Sequence, residues 1–402
     1  MGLIKIKHNI KSLGVKALKK VDIIVGIPSY NEADNIDYVV RQVDQGLSKY
    51  YPKLKALIIN VDNNSPDGTR QVFENTQTKN AKLYITTKAG IAGKGYNFYN
   101  LFKKAQELSA KLIIVVDADL KSIKPGWVRD LGEPILKQNY DFITPVYARH
   151  EYDGSITNHL CYPLFYGLLG KNIRQPIGGD FAMSGKLVKY LRQQPWTTTT
   201  KKYGIDIFLT SQAVFGKFKI GQSNLGAKIH KPSAPKLGPM FSQVVTTLFI
   251  NLVKHKNFWL QDLANSKLPV FYQKPSQEPQ ALAVDYKGMK ATALYLFSIN
   301  KAYLKKFLTP EVYQELNKMH QAKKMDLKPK LWAKVLYDML YAFDNYHVNS
   351  HFILAFKPLY FWRAASFIKH SLEMTHQEAE KDIMAQAKVF YRDRGYLLKK
   401  YR

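Results

Sequence analysis

Residues 111–119 read KLIIVVDAD. Leu112, Ile113, Ile114, Val115 and Val116 are apolar in succession, which suits a strand buried on both faces rather than one alternating between core and solvent. Two carboxylates, Asp117 and Asp119, stand where that run ends. The pattern recurs upstream. VDIIVGIP at 21–28 runs into SYNE at 29–32, and LKALIINV at 54–61 runs into the turn-rich DNNSPDG at 62–68. Between these runs the period changes to that of a helix: Ile36, Val39, Val40, Val43 and Leu47 fall on one face. Helices are also expected over 69–80 and 96–110, and further strands over 82–86, 141–146 and 177–184. Apolar strands alternating with helices predict an α/β fold with a largely parallel sheet covered on both faces. Such sheets bind ligands at the carboxyl ends of their strands. The places to look for chemistry are therefore residues 28–32, 62–65 and 117–119.

Length and composition bound the rest. The 402 residues exceed one ordinary domain, and 46% hydrophobic residues support a sizeable core. Sixty Lys and Arg against thirty-one Asp and Glu give a formal charge of +29, which suits polyanionic partners. A single cysteine, Cys161, excludes an intrachain disulfide framework and a Cys-rich zinc site, and fits the reducing cytoplasm. No apolar run reaches the ~18 residues of a spanning helix. Residues 1–20 hold six lysines and no acid, with apolar residues at helical spacing, and read as a basic amphipathic or frayed arm. Residues 207–261 also lack Asp and Glu, and Pro232, Pro235, Gly238 and Pro239 predict a loop there. QKPSQEPQ at 273–280 reads as a linker. The pattern beyond 282 is helical, and Thr375 with Glu378 predicts a capping box for the last helix, ending near 390. The expected organisation is an arm at 1–20, a catalytic domain at 21–272 and a helical region at 282–402.

Several clusters carry candidate chemistry, each with a plainer reading beside it. Asp117 and Asp119 at a strand end suit a divalent metal that neutralises charge on a departing diphosphate; the plainer reading is a solvated turn. In Pro28-Ser29-Tyr30-Asn31-Glu32, Tyr30 can stack on a base and Glu32 can accept from a ribose, while the turn offers backbone N–H groups; Asn31 as a helix cap is the alternative. Lys94 between Gly93 and Gly95 offers charge to an anion, or the glycines only start a helix. Gly178 and Gly179 before Asp180 allow close approach of a ligand, or form a bulge. Asp206, opening a helix, is a general base or a helix-terminal charge. His230 is a third metal ligand or a packing histidine.

Taken together, VDIIVGIPSYNEADNI, LIINVDNNSPDGT, GKG, LIIVVDADL, IRQPIGGDFAMS, YGIDIFL and KIHKP resemble, in order, the glycosyltransferases of the GT-A fold. The likeness is to the family-2-like enzymes and, among them, the mannosylglycerate and glucosyl-3-phosphoglycerate synthase branch. It covers about 21–232. The resemblance implies a Rossmann-like mixed sheet, a nucleoside-diphosphate sugar donor and Mg²⁺ or Mn²⁺. Pro28, Tyr30, Glu32 and Asp62 would then line the nucleoside site, with Lys94 and Asp117 near the diphosphate. Asp117, Asp119 and His230 would hold the metal, with Asp119 the more direct ligand. Asp180 and Asp206 would face sugar and acceptor; the branch often carries Glu at both positions. Gly178, Gly179, Arg149, Thr157, Asn158 and Arg174 would meet a small anionic acceptor. The branch retains anomeric configuration, in which case the departing phosphate takes the acceptor proton and Asp206 need not be a base.

Two other readings compete with a cytoplasmic enzyme on a small acceptor, for which a homodimer would be unsurprising. One is a peripheral membrane glycosyltransferase with a lipid-linked acceptor, supported by the basic arm and the aromatics Phe352, Phe356, Tyr360, Phe361 and Trp362. The other is a non-enzymatic nucleic-acid binder, supported by the charge alone; no nucleic-acid module is recognisable, so nucleic acid is not an expected partner.

Overall fold

A computed structural model describes residues 19–231, 237–261, 263–272, 279, 281–349 and 351–402. The apolar runs form β1 (Ile23–Ser29), β2 (Ala56–Asp62), β3 (Ala81–Thr86), β4 (Leu112–Val115), β5 (Phe142–Ala148), β6 (Phe181–Ser184), β7 (Ile220–Ala227) and β8 (Val270–Phe271). All belong to one sheet with the order β3-β2-β1-β4-β6-β5-β7-β8. The uninterrupted Ile/Val runs have the expected cause: every residue of β1 and β4 is buried. Ile23, Val25 and Ile27 face Val39, Val40 and Val43 of the helix Ile36–Tyr50 and Trp127, Leu131 and Ile135 of the helix Gly126–Gln138.

Only β6 runs against its neighbours, pairing antiparallel with β4 and β5. The sheet is therefore mixed, as the GT-A resemblance implies. Because β6 is reversed, its N-terminal end lies at the same rim as the C-terminal ends of β4, β5 and β7. β1 lies between β2 and β4, so the connections leave it in opposite directions, and the crevice of a doubly wound sheet opens there. The stretches after β1 and β4 flank that crevice.

Contacts group the described residues into two compact units. One comprises those within Met1–Ala148, Ile177–Ala234 and Leu268–Pro279 and contains the sheet; the other comprises those within Arg149–Pro176, Pro235–Lys267 and Gln280–Arg402. The second unit is helical, with Tyr162–Leu169, Leu237–Lys254, Tyr286–Leu304, Pro310–Gln321, Pro329–Asn345, His351–Ser371 and His376–Leu398 as its larger elements. The stretches 149–176 and 235–267 thus group with the C-terminal helices.

Three local expectations are corrected. Gly238 and Pro239 do not form a loop but lie in the first turn of the helix Leu237–Lys254, where a missing N–H costs nothing. The helix expected over 69–80 is short, Thr69–Asn75. Phe352, Phe356, Tyr360 and Trp362 are fully buried, so this aromatic stretch is core rather than a membrane surface. The capping box forms as expected: the Glu378 N–H donates to Thr375 Oγ1 at 3.3 Å and the Thr375 N–H to Glu378 Oε2 at 2.8 Å. The helix it starts continues to Leu398, beyond the expected end. Most of the arm at 1–20 and of the linker at 273–280, with Pro232 and Pro235, lies outside the described residues. No described helix is long and apolar enough to cross a membrane.

Candidate active site

Four strand ends deliver one cluster of charges. Asp117 and Asp119 follow β4, Asp180 precedes the reversed β6, Tyr147 lies near the end of β5, and Lys228 follows β7. Lys94 and Asp206 arrive from the first turns of the helices Lys94–Glu107 and Ile205–Phe215. Lys94 Nζ lies 2.9 Å from Asp117 Oδ1 and 3.3 Å from Asp206 Oδ2. Lys228 Nζ is almost fully buried. It donates to Asp117 Oδ2 at 3.1 Å, to Asp180 Oδ2 at 2.8 Å and to the Gly178 carbonyl at 2.8 Å. Asp180 is wholly buried and also accepts from the Asp117 N–H at 2.8 Å and from the Tyr147 hydroxyl. Gly179 has φ 88°, and a Cβ there would meet Asp117 Oδ2 at 2.2 Å, so the glycine lets the backbone press against that carboxylate.

Charge follows from this geometry. Burial pushes Asp117 up, but Lys94 and Lys228 outweigh it and hold the carboxyl well below its usual range. Burial likewise opposes the charge on Lys94, and Asp117 and Asp206 overcome it and raise its pKa. Asp119 is pushed up by burial and by Asp117, with Lys228, His230 and Lys94 pulling the other way. Asp206 is pushed up by burial and Asp117 against the pull of Lys94, and its Oδ1 is buried with no hydrogen-bond partner.

The nucleoside-side residues have more structural duties than expected. Asp62 is buried and accepts from Ser29 Oγ (2.6 Å), Ser65 Oγ (2.7 Å), the Ser65 N–H (2.7 Å) and Tyr84 Oη (2.9 Å). The turn after Pro28 does not leave its N–H groups open: those of Asn31, Glu32 and Ala33 donate to Ser65, Thr69 and Asp67 side chains. Asn31 is not a helix cap, since the helix begins at Ile36; it takes a left-handed φ of 59°. Lys231 Nζ approaches Glu32 and Asp34 at 2.8 Å each. Tyr30 is half exposed at the rim. The glycines around Lys94 answer a packing demand: a Cβ at Gly93 or Gly95 would lie 2.5 Å from the Lys201 carbonyl or 2.1 Å from that of Thr200.

The residues expected at the acceptor are held inside the helical unit. Thr157 and Asn158 are buried in a wide helical turn, Thr157–Cys161. Arg149 pairs with Asp153 at 2.7 Å. Arg174 grips Glu380 through two bonds of 2.6 and 2.7 Å and donates to Asn158 Oδ1 at 3.0 Å. Nε and Nη2 of Arg174 and Oδ1 of Asn158 are thus engaged inside this unit. Arg174→Ala is expected to lower stability by about 3 kcal/mol, less than a fully buried pair because Glu380 keeps a third of its side chain exposed. Burial raises the Glu380 pKa, but Arg174 outweighs it and leaves it lowered. The pair's contribution is therefore full above the ordinary glutamate value of 4.5 and lost as pH falls below it. Urea unfolding at two pH values checks this; an unchanged midpoint with a raised acceptor KM would return Arg174 to the acceptor.

Among the described residues no three His, Cys, Asp or Glu side chains converge as a ready-made metal cage. His230 lies close enough to Asp119 to pull on its charge, and both oxygens of Asp117 meet ammonium groups. The donor set still fits a cation shared with a diphosphate. Four carboxylates face two ammonium groups, Asp119 makes no hydrogen bond among the described residues, and Asp206 Oδ1 is orphaned. Mg²⁺ is typically held by one or two carboxylates, with phosphate oxygens and water completing the shell.

Sequence reading missed Lys228 as a functional residue, because there it is one of seven lysines in the acid-free stretch 207–261. Its usable signal is parity: two residues before His230 at a strand end, it projects to the same side.

Comparison with known proteins agrees with the geometry. The model of the family "Glycosyl transferase family 2" matches residues 24–190. Glucosyl-3-phosphoglycerate synthase of Petrotoga mobilis is 28% identical over 249 residues, covering 56% of this chain and 71% of that protein. Dolichol-phosphate mannosyltransferase of Pyrococcus furiosus is 26% identical over 190 residues, covering 44% of this chain and 49% of that protein. A crystal structure of glucosyl-3-phosphoglycerate synthase from Mycobacterium tuberculosis, in complex with Mn²⁺, UDP-glucose and phosphoglyceric acid, has 23% identity and a TM-score of 0.47, covering 61% of this chain and 85% of that one. Residues 24–190 match the glycosyl transferase family 2 model, and the chain that carries this match is a glycosyltransferase.

Proposed function

We propose that this enzyme moves a hexosyl group from a nucleoside-diphosphate sugar to a small anionic acceptor of the glycerate or phosphoglycerate type, with retention and with Mg²⁺ or Mn²⁺ bound. The observation that carries the reading is the rim cluster in which Lys94 bridges Asp117 and Asp206 while the buried Asp206 Oδ1 stays without a hydrogen-bond partner. A bound cation would neutralise charge on the departing diphosphate. Asp119 would hold it, with His230 beside it and Asp117 behind. Lys94 has an ammonium hydrogen left for a phosphate oxygen. Tyr30, exposed at the rim, would cover the base, and Glu32 the ribose. Asp206 Oδ1 would accept a hydroxyl of sugar or acceptor and orient it. The acceptor oxygen forms its bond to the anomeric carbon as the bond to the diphosphate oxygen breaks, and the acceptor proton passes to that phosphate. The Petrotoga similarity supports the acceptor class, and the single buried thiol of Cys161 suits a cytoplasmic setting.

The test is a thermal-shift screen of nucleoside diphosphates with and without Mn²⁺. At a hundredfold excess over Kd a native-state ligand adds about 2.7 kcal/mol, a rise of roughly 3 °C. One base is expected to give that rise, and only with the cation; a rise that ignores the cation would remove it from the donor site. The Pyrococcus similarity favours a second reading, a lipid-phosphate acceptor. Transfer to a polyprenyl phosphate but not to phosphoglycerate would select it.

A further inference from the structure

The helical unit carries an apolar surface away from its aromatic core. A surface helix ordinarily buries one apolar stripe and exposes polar residues opposite. The helix Tyr286–Leu304 does bury Ala293, Phe297, Asn300 and Leu304. Its outer side, however, presents a second stripe. Ala291, Tyr295, Ile299 and Ala302 follow at helical spacing and are all exposed, Tyr295 to 65% and Ile299 to 60%. The helix His351–Ser371 packs against it, with His351 Nε2 3.0 Å from Asn300 Oδ1 and its ring edge-on to Tyr303. One turn further along, Leu354 is 52% exposed.

The charges that these two helices themselves contribute are of one sign. Residues 286–310 and 345–372 contain no Asp or Glu. Lys287, Lys305 and Lys306 are exposed and flank or extend the stripe on the wheel of the first helix. The acids that border the two stretches are Asp285, Glu311, Asp344 and Glu373. We propose that this face docks the protein on an anionic lipid surface, with Tyr295, Ile299 and Leu354 entering the headgroup boundary and the three lysines meeting lipid phosphates. Charge selects this occupant over a second copy of the chain. A two-fold contact sets a patch against itself, and here it would oppose lysines to lysines across two helices that hold no carboxylate of their own.

The experiment is co-sedimentation of the full chain with phosphatidylcholine vesicles, with and without a phosphatidylglycerol fraction. Binding is expected only with the anionic lipid and weakens with salt. Y295S/I299S should bind roughly tenfold more weakly. K305E/K306E should lose at least about thirtyfold. Both variants should keep the parent melting temperature. The proposal falls if the parent stays in the supernatant. It falls equally if both variants pellet like the parent, which would assign the contact to another segment such as residues 1–20. A lipid-free dimer that Y295S/I299S converts to monomer would make the face a protein interface and also overturn it.

Discussion

Asp119→Ala is expected to lower sugar transfer about a thousandfold, ~4 kcal/mol of transition-state stabilisation, with the melting temperature unchanged or slightly raised. The two halves of this expectation have one cause. Asp119 sits partly buried beside Asp117, and both burial and that neighbour disfavour its charge. No hydrogen bond among the described residues compensates it, and the pull of Lys228, His230 and Lys94 does not outweigh burial and Asp117, so removing it relieves the apo protein of a net cost. A carboxylate with a net cost in the resting state and no hydrogen bond to hold it is a group kept for what it binds. If a cation bound there stabilises the leaving diphosphate, its loss falls on the chemical step. The check is kcat with donor and Mn²⁺ saturating, beside a thermal melt. Near-normal turnover would break the assignment of Asp119 to the cation; a lowered melting temperature would make it a structural residue.

The sheet was legible because its strands are buried on both faces. In β1, β2 and β4 the apolar run, the ensuing turn and the position of Asp117 and Asp119 all follow from sequence. The reversed β6 was less legible. Its four residues, Phe181–Ser184, carry no mark of direction, and direction is what brings Asp180 to the rim. Asp62 and Glu32 were located correctly at strand ends, yet sequence cannot show that Asp62 is saturated by Ser29, Ser65 and Tyr84. Partner satisfaction is a three-dimensional property. The same holds for Asn158 and Arg174, whose partner Glu380 lies 206 residues from Arg174 in sequence. Gly93 and Gly95 suggested an anion cradle, whereas the backbone of residues 200–202 passes beside them. Glycine reports close approach without naming what approaches.

Asp180→Ala should cost about 3–5 kcal/mol of stability, the penalty for removing one partner of a buried ion pair. Asp180 is wholly buried and Lys228 keeps 4% of its side chain exposed, so water cannot replace the lost carboxylate. Lys228 would retain the Gly178 carbonyl and Asp117, and Asp117 already shares its charge with Lys94. The Asp117 N–H and the Tyr147 hydroxyl would also lose their acceptor. A residue touching the sugar behaves otherwise: its removal raises donor KM and leaves the melting temperature alone. Asp180→Asn separates charge from shape, because the amide oxygen can still accept one of these bonds but not balance Lys228. Combining it with Lys228→Met removes both charges, and the double variant should recover stability relative to Asp180→Asn alone. Recovery of stability without recovery of turnover would mean that the Asp180–Lys228 pair shapes the bed on which Asp117 rests while the chemistry belongs to Lys94, Asp119 and Asp206. An Asp180→Ala variant with parent stability and a raised donor KM would instead put Asp180 against the sugar.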